Sequence, residues 1–382
     1  MQNEIYLDWA ATSYKKPEKV VLAVTDFFNN VGVSSGRGAY KRAFDADRIV
    51  FECRKEAAKL FNVDDPANIV LSSGATESIN LVLKGYLKSG DHVVTTSLEH
   101  NAVIRTLHRL QEEKDITYTI VKCDPRGYFN LTDFEKAINK KTRLFAINHA
   151  SNVIGTILPI SDISNIASAH DIRVLIDAAQ SAGAIDVDAK AIGADFIAFA
   201  GHKSLLGPQG TGGLYIKSGV ELSTLKEGGT GSDSKSLTMP NNLPERFEAG
   251  TQNYPGFAGL KEGIKHINTL TIDKIRNDEL EIIKYAHDEL ATIAGLTLYG
   301  TDNHEDKVGV FTFNIAGHEP SMLASTLDRE YNIMVRAGLH CAPLAHESVG
   351  TIDRGAVRMS IGHITTKDEI DALTEALKDI IK

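Results

Sequence analysis

Between about Pro17 and Tyr215, short apolar and β-branched runs alternate with stretches whose apolar positions recur every three to four residues. That alternation predicts an α/β fold, a mostly parallel sheet covered by helices. Seven runs read as strands: Ile69 to Leu71, His92 to Thr95, Thr117 to Val121, Leu144 to Asn148, Arg173 to Asp177, Asp195 to Ala200 and Gly213 to Ile216. Between the first two, Ile79, Val82, Leu83, Tyr86 and Leu87 share one helical face. From Gly228 to Asn242 the pattern dissolves into Gly, Ser, Thr and Asn, which predicts a surface loop. A long helix then follows (Ile275, Ile282, Ile283, Ala286, Leu290, Ile293), with strands expected at Val308 to Ile315, Ile333 to Arg336 and Ala356 to Ile361. Thr366 and Glu369 stand at capping-box spacing before a last helix whose Ile370, Leu373, Leu377 and Ile380 form one stripe. The pattern therefore divides into a large domain, 15–260, and a smaller α+β domain built from 1–14 and 261–382.

Composition narrows the class. A chain of 382 residues exceeds what one ordinary core absorbs, which agrees with two domains. With 41 basic against 50 acidic residues, the net charge of −9 disfavours nucleic acid and anionic membranes as partners. No apolar run approaches the ~18 residues of a membrane span. Three cysteines (Cys53, Cys123, Cys341), far apart, cannot frame a disulfide scaffold and suit a reducing compartment, so a cytoplasmic location is expected.

In a parallel sheet ligands gather at the carboxyl ends of strands. Ser72-Ser73-Gly74-Ala75-Thr76 joins a strand to a helix, where amides and the helix dipole favour an anion, although an ordinary turn would look the same. Asp177 ends the apolar strand Val174-Leu175-Ile176, where a carboxylate needs a cation or several donors. Gly201-His202-Lys203 follows another apolar strand. An anion cradle, a carboxylate and an amine together are what pyridoxal phosphate requires: a phosphate site, a partner for the pyridine nitrogen and a Schiff-base lysine. His100, after a further strand, could stack on such a ring.

The chain resembles the class V aminotransferase group of fold-type I pyridoxal phosphate enzymes, and within it the cysteine desulfurases. Nearly the whole chain carries the resemblance, through Tyr6-Leu7-Asp8-Trp9-Ala10-Ala11, Ser73 to Asn80, Glu99-His100-Asn101, Ser151 to Gly155, Asp177-Ala178-Ala179-Gln180, Gly201-His202-Lys203, Arg246 to Thr251 and Arg336 to Pro343. It implies that Lys203 bonds the coenzyme, Asp177 pairs with its ring nitrogen, Gln180 donates to its hydroxyl, and His100 stacks and carries protons. It further implies that Ala75, Thr76 and His202 hold the phosphate, with Thr251 reaching it from the second subunit of a homodimer. Asn152 and Arg358, with Arg336, would grip the substrate carboxylate, and Cys341 would be the nucleophile. The Arg336-Ala337-Gly338-Leu339-His340-Cys341-Ala342-Pro343 segment is similar to the group whose cysteine loop is compact.

Three positions depart from the resemblance: Ala200 where many relatives have serine, Leu339 where a second histidine is common, and Tyr40 in Arg37-Gly38-Ala39-Tyr40 where several have histidine. Cys53 and Cys123 read as small hydrophobes. His340, Cys341 and His346 lack a fourth ligand at zinc spacing, so no metal is expected. The expected activity is conversion of L-cysteine to L-alanine with a persulfide left on Cys341 for an acceptor protein. Alternatives are a selenocysteine lyase acting on L-selenocysteine, another aminotransferase or lyase of the class without persulfide chemistry, and a coenzyme-binding delivery module without turnover.

Overall fold

Among the described residues, thirteen strands and eleven α-helices form where the apolar runs alternate in length and period. In this computed structural model, residues 4–34, 38, 40–231 and 235–382 are described; Arg37 and Ala39 of the Arg37 to Tyr40 motif lie outside them. The strands are β1 (Ile5–Tyr6), β2 (Ile69–Ser72), β3 (His92–Thr96), β4 (Thr117–Val121), β5 (Thr142–Asn148), β6 (Arg173–Asp177), β7 (Phe196–Ala200), β8 (Gly212–Ile216), β9 (Leu296–Tyr299), β10 (Val310–Ile315), β11 (Ile333–Met334), β12 (Arg336–Gly338) and β13 (Ala356–Ser360).

Seven of these make one sheet in the order β2-β8-β7-β6-β5-β3-β4. β7, β6, β5, β3 and β4 pair in parallel, and only β8 runs antiparallel to both neighbours. All seven anticipated strands are present. β3 and β7 are buried at every position, so helices must cover both faces. One face packs Phe145, Ile147, Ile197 and Phe199 with Phe257 and Leu260, and the other packs Leu144, Ala146 and Phe196 with Ile79, Val82 and Leu107.

The second sheet, β12-β13-β10-β9, is antiparallel and carries its own core of Phe311, Phe313, Met359, Leu373 and Leu377. The last helix, Lys367–Ile381, opens with the anticipated Thr366–Glu369 capping box. Three expectations needed correction. The strand expected from Ile333 to Arg336 is two: β11 pairs in parallel with β1, and β12 turns to pair with β13. The long helix spans Ile272–Ala291, ending before Ile293, and is preceded by a separate helix, Tyr254–Leu270, broken at Thr271 with φ 71°. Strand β9, at a sheet edge, was not anticipated. Position 260 lies inside Tyr254–Leu270, whose Phe257, Leu260 and Ile264 belong to the large core. The described part of the 228–242 segment holds no helix or strand, and no described helix is long and apolar enough to cross a membrane.

Candidate active site

The carboxyl ends of β2, β3, β5, β6 and β7 open onto a cavity of about 300 Å³. Ala75, Thr76, His100, Asn152, Asp177, Gln180, His202, Lys203, Arg336, Cys341 and Arg358 all line it. Thr251 does not: it is exposed, in a neighbouring hollow lined by Arg54, Glu248 and Gln252.

On the large-sheet side, Gly74 precedes helix Ala75–Tyr86 at φ 150°, a backbone conformation that favours glycine. A Cβ on Gly212 would sit 2.5 Å from the Gly74 Cα, so glycine at 212 permits this close approach. No side chain caps the helix, and the amides at its N-terminus project toward the cavity, a geometry suited to a phosphate. Asp177 is buried at the end of β6; its Oδ1 accepts the Ala179 amide at 2.9 Å. Burial pulls the Lys203 amine down to about 8, against the opposing pull of Asp177. His202 keeps a buried Nδ1 with no hydrogen-bond partner among the described residues, and burial with the Lys203 and Lys16 charges holds its ring down to about 4. Gln180 donates Nε2 to the Ala10 carbonyl at 3.0 Å, which brings the N-terminal segment over the cavity.

His100 is the N-cap of helix Asn101–Lys114, and its Nδ1 accepts the Ala102 amide at 3.0 Å. The neutral ring therefore carries its proton on Nε2. Burial lowers its pKa, with Asp177 opposing, so the ring is neutral near pH 7. Behind it Glu99 is fully buried, accepting from the Thr96 hydroxyl at 2.6 Å and the Asn148 amide at 3.0 Å; burial pushes it up to about 8.

On the small-sheet side, Arg336 and Arg358 are cross-strand partners in the β12–β13 ladder. Two like charges directly opposed destabilise a sheet unless an anion lies between or beside them. Arg358 is 2% exposed; its Nη2 meets Asp8 Oδ1 at 2.7 Å, its Nη1 donates to the Asn152 carbonyl at 3.0 Å, and its Nε is buried without a partner among the described residues. Planar guanidinium with a donor left over suits a carboxylate. Asn152 donates Nδ2 to the His340 carbonyl at 2.7 Å, and the Asn101 amide donates to the Cys341 carbonyl at 2.8 Å. These two bonds tie the cysteine loop to the large sheet.

The loop itself is unusual in its backbone. His340 and Cys341 are both left-handed, at φ 49° and 59°. His340 is buried and its Nδ1 lies 3.0 Å from His346 Nε2; His346 Nδ1 lies 2.7 Å from the Thr351 hydroxyl. The two histidines are thus hydrogen-bonded to each other. Cys341 stays exposed, whereas Cys53 is fully buried and Cys123 contacts the Ser97 hydroxyl at 3.3 Å.

Asp8, Glu99, His346 and Thr351 also shape the site. Asp8 and Glu99 are marked in the sequence only by the Tyr6 to Ala11 and Glu99-His100-Asn101 motifs, His346 only as a candidate metal ligand, and the contacts of His346 and Thr351 leave no trace in spacing.

A sequence model described as aminotransferase class-V matches residues 5–373. The chain is 37% identical to a probable cysteine desulfurase of Methanothermobacter thermautotrophicus, over 100% of this chain and 95% of that protein. It is 34% identical to a cysteine desulfurase of Salmonella agona, over 98% and 93%. Among solved structures it is similar to an apo cysteine desulfurase from Thermococcus onnurineus, at 32% identity and TM-score 0.92, covering 99% of this chain and 94% of that one. A cysteine desulfurase from Escherichia coli superposes with TM-score 0.89 at 28% identity, covering 99% and 94%. The match runs through both sheets and the whole lining of the cavity, and the chain belongs to the class-V aminotransferase family.

Proposed function

We infer that the protein is a pyridoxal phosphate-dependent cysteine desulfurase that converts L-cysteine to L-alanine and leaves a persulfide on Cys341. The observation that carries this reading is that one cavity is lined by Lys203 and Asp177 on one wall and by Cys341, Arg336 and Arg358 on the other. The donor set fits the coenzyme: the uncapped helix terminus after Gly74 and the buried, unpartnered His202 Nδ1 suit its phosphate region, and Asp177 suits a protonated ring nitrogen. When bound, pyridoxal phosphate supplies the electron sink that makes bonds at the substrate Cα and Cβ breakable.

The chain's own groups do the rest. Arg358, steadied by Asp8, and Arg336 would orient the substrate carboxylate. Lys203, as a neutral amine, would take the Cα proton, and His100 Nε2 would move a proton beside it. Cys341 Sγ would form the new S–S bond as the substrate C–S bond breaks. The atoms balance, since two thiols become one persulfide and one C–H group: the enzyme thiol is oxidised and the substrate carbon reduced.

A selenocysteine lyase is not favoured, because the relatives and solved structures described above are named as cysteine desulfurases. We further propose a cytoplasmic homodimer in which Thr251 serves the partner's phosphate site, a compact cysteine loop, an acceptor protein for the sulfur, and division into the domains 15–260 and 1–14 with 261–382. Support for the dimer comes from Phe28, in the π-helical turn Phe27–Val31, and Phe44 and Phe51, on helix Lys41–Leu60, which are 65%, 63% and 54% exposed. The test of function is product analysis with cysteine and selenocysteine side by side. Equimolar alanine with one added sulfur on the Cys341 peptide is expected from cysteine; alanine from selenocysteine alone would overturn the reading. Sedimentation of the holo-protein checks the dimer, and a fully active monomer would remove Thr251 from the site.

A further inference from the structure

Away from this cavity, two histidines and two aspartates meet where the end of helix Ile272–Ala291 faces the turn after β9. His287 and Asp288 come from the helix, Asp302 and His304 from the turn. One ligand atom from each of His287, Asp288 and His304 lies within 4.8 Å of the others. His287 Nδ1 is 3.7 Å from Asp288 Oδ1, and the two rings meet edge to face with centroids 4.8 Å apart. His287 Nδ1 and His304 Nε2 are both buried with no hydrogen-bond partner among the described residues.

Two buried ring nitrogens left unsatisfied side by side are costly, and buried polar groups nearly always have a partner. Hydrogen bonding within the pair does not solve this, since neither atom reaches an acceptor or donor. A cation that accepts both lone pairs does. The other nitrogen of His287, Nε2, faces Asp302 Oδ1 at 3.5 Å. Drawn onto Nε2, that carboxylate would hold the ring proton there and turn the Nδ1 lone pair toward the cluster, the arrangement that orients metal-binding histidines.

We propose that His287, Asp288 and His304 bind a borderline divalent transition-metal ion, zinc above all, with solvent as the fourth ligand and Asp302 as the carboxylate that orients His287. Two imidazoles and one carboxylate select zinc-like ions over magnesium or calcium, which favour oxygen-rich shells. Tetrahedral zinc separates its ligand atoms by about 3.3 Å. The 3.7 Å pair nearly meets that, and exposed Asp288 and partly exposed His304 can close the remainder by side-chain rotation.

The location says what such an ion would do. Arg276 of the same helix donates to the Lys307 carbonyl at 2.7 Å and the Glu305 carbonyl at 2.8 Å. From the large-sheet side, the Tyr128 hydroxyl contacts the Thr301 hydroxyl at 2.6 Å and Asp306 at 2.9 Å. The 301–307 turn is therefore the piece that both bodies hold, and an ion at His287 and His304 pins it to the helix.

The holoenzyme, dialysed against a chelator and then titrated with zinc, provides the test. One equivalent should remain after gel filtration in wild type and equally in Cys341→Ala, which excludes the active-site thiol as the ligand. His304→Ala and His304→Gln should retain none, and Asp302→Asn should weaken binding about 10- to 100-fold. Zinc should raise the unfolding temperature of wild type by a few degrees and leave that of either His304 variant unchanged, with cysteine turnover of wild type and of the His304 variants unaltered. The metal-free unfolding temperatures of the variants separate loss of the site from loss of the fold. Wild type that retains no zinc, or His304 variants that retain the same equivalent, would overturn the site.

Discussion

The two walls of the catalytic cavity are built on different principles. Lys203, Asp177 and the Gly74–Thr76 cradle sit at the ends of strands whose neighbours are buried on both faces, so their positions follow from the sheet. Cys341 and His340 sit on a short loop after a three-residue strand, in left-handed conformations held by hydrogen bonds to Asn101, Asn152 and His346. A wall that holds a coenzyme and moves protons gains from rigidity. A wall that must accept a sulfur and then surrender it gains from a cysteine that stays at the surface on a separate element. If that division is right, substitutions on the two walls should separate coenzyme chemistry from sulfur chemistry.

The largest effect is expected on the rigid wall. Lys203→Ala should abolish cysteine turnover and coenzyme attachment together, since it removes the Schiff-base amine as well as a positioned acid–base group that alone contributes about 10²- to 10⁴-fold. Borohydride reduction of the wild-type protein should place a pyridoxyl group on the Lys203 peptide. Mass mapping that puts the group on any other lysine would break the assignment of this wall.

On the other wall, Cys341→Ala should abolish alanine formation from cysteine while leaving the coenzyme absorption spectrum unchanged, because no large-sheet contact passes through the thiol. A variant that lost the coenzyme would show that the walls are not separable. One that kept wild-type turnover would remove the persulfide and with it the desulfurase mechanism.

Asp8 sharpens the comparison further, since it comes from the N-terminal segment yet acts on the small-sheet wall. Asp8→Asn keeps the shape and removes the charge that meets Arg358 Nη2 at 2.7 Å. A hydrogen bond between charged groups contributes about 1.5–3 kcal/mol, so kcat/KM for cysteine should fall roughly 10- to 100-fold, mainly through KM. An unchanged KM would show that Arg358 needs no support.

The difference between the walls also explains what the sequence revealed. The large sheet was legible strand by strand because buried parallel strands are nearly continuous apolar runs, and Asp177 and Lys203 stood out by ending two of them. β1 is two residues and β9 has an exposed Thr297 at a sheet edge, so neither carries enough apolar signal. The run from Ile333 to Arg336 reads as one strand, and only tertiary pairing divides it between β1 and β13. His346 contacts His340 because the short helix Pro343–Ser348 turns the chain back, a local geometry with no periodic trace. Asp8 and Arg358 are 350 positions apart and meet only once both sheets are assembled.

The smallest effect is protonic and concerns both walls at once. Burial, opposed by Asp177, brings Lys203 down to about 8, whereas an unperturbed lysine titrates near ~10.4. The neutral amine is the reactive form, and it grows as pH rises through the folded-state value. With a pKa of about 8, roughly a tenth of the amine is neutral at pH 7, against less than about a thousandth for an ordinary lysine. After removal of the coenzyme, its rate of re-uptake should therefore rise about tenfold between pH 7 and pH 9 and level off just above pH 8. The His340 and His346 pair should add no step in that range, because burial and Arg358 hold both rings neutral, at about 2 and about 4. Stopped-flow absorbance of coenzyme uptake reads the first wall and persulfide formation in a single turnover of the holoenzyme reads the second. Uptake that kept climbing to pH 10 would show that Lys203 is not tuned by its burial, and a His346→Phe variant that shifted the uptake midpoint would show that the two walls share their protons.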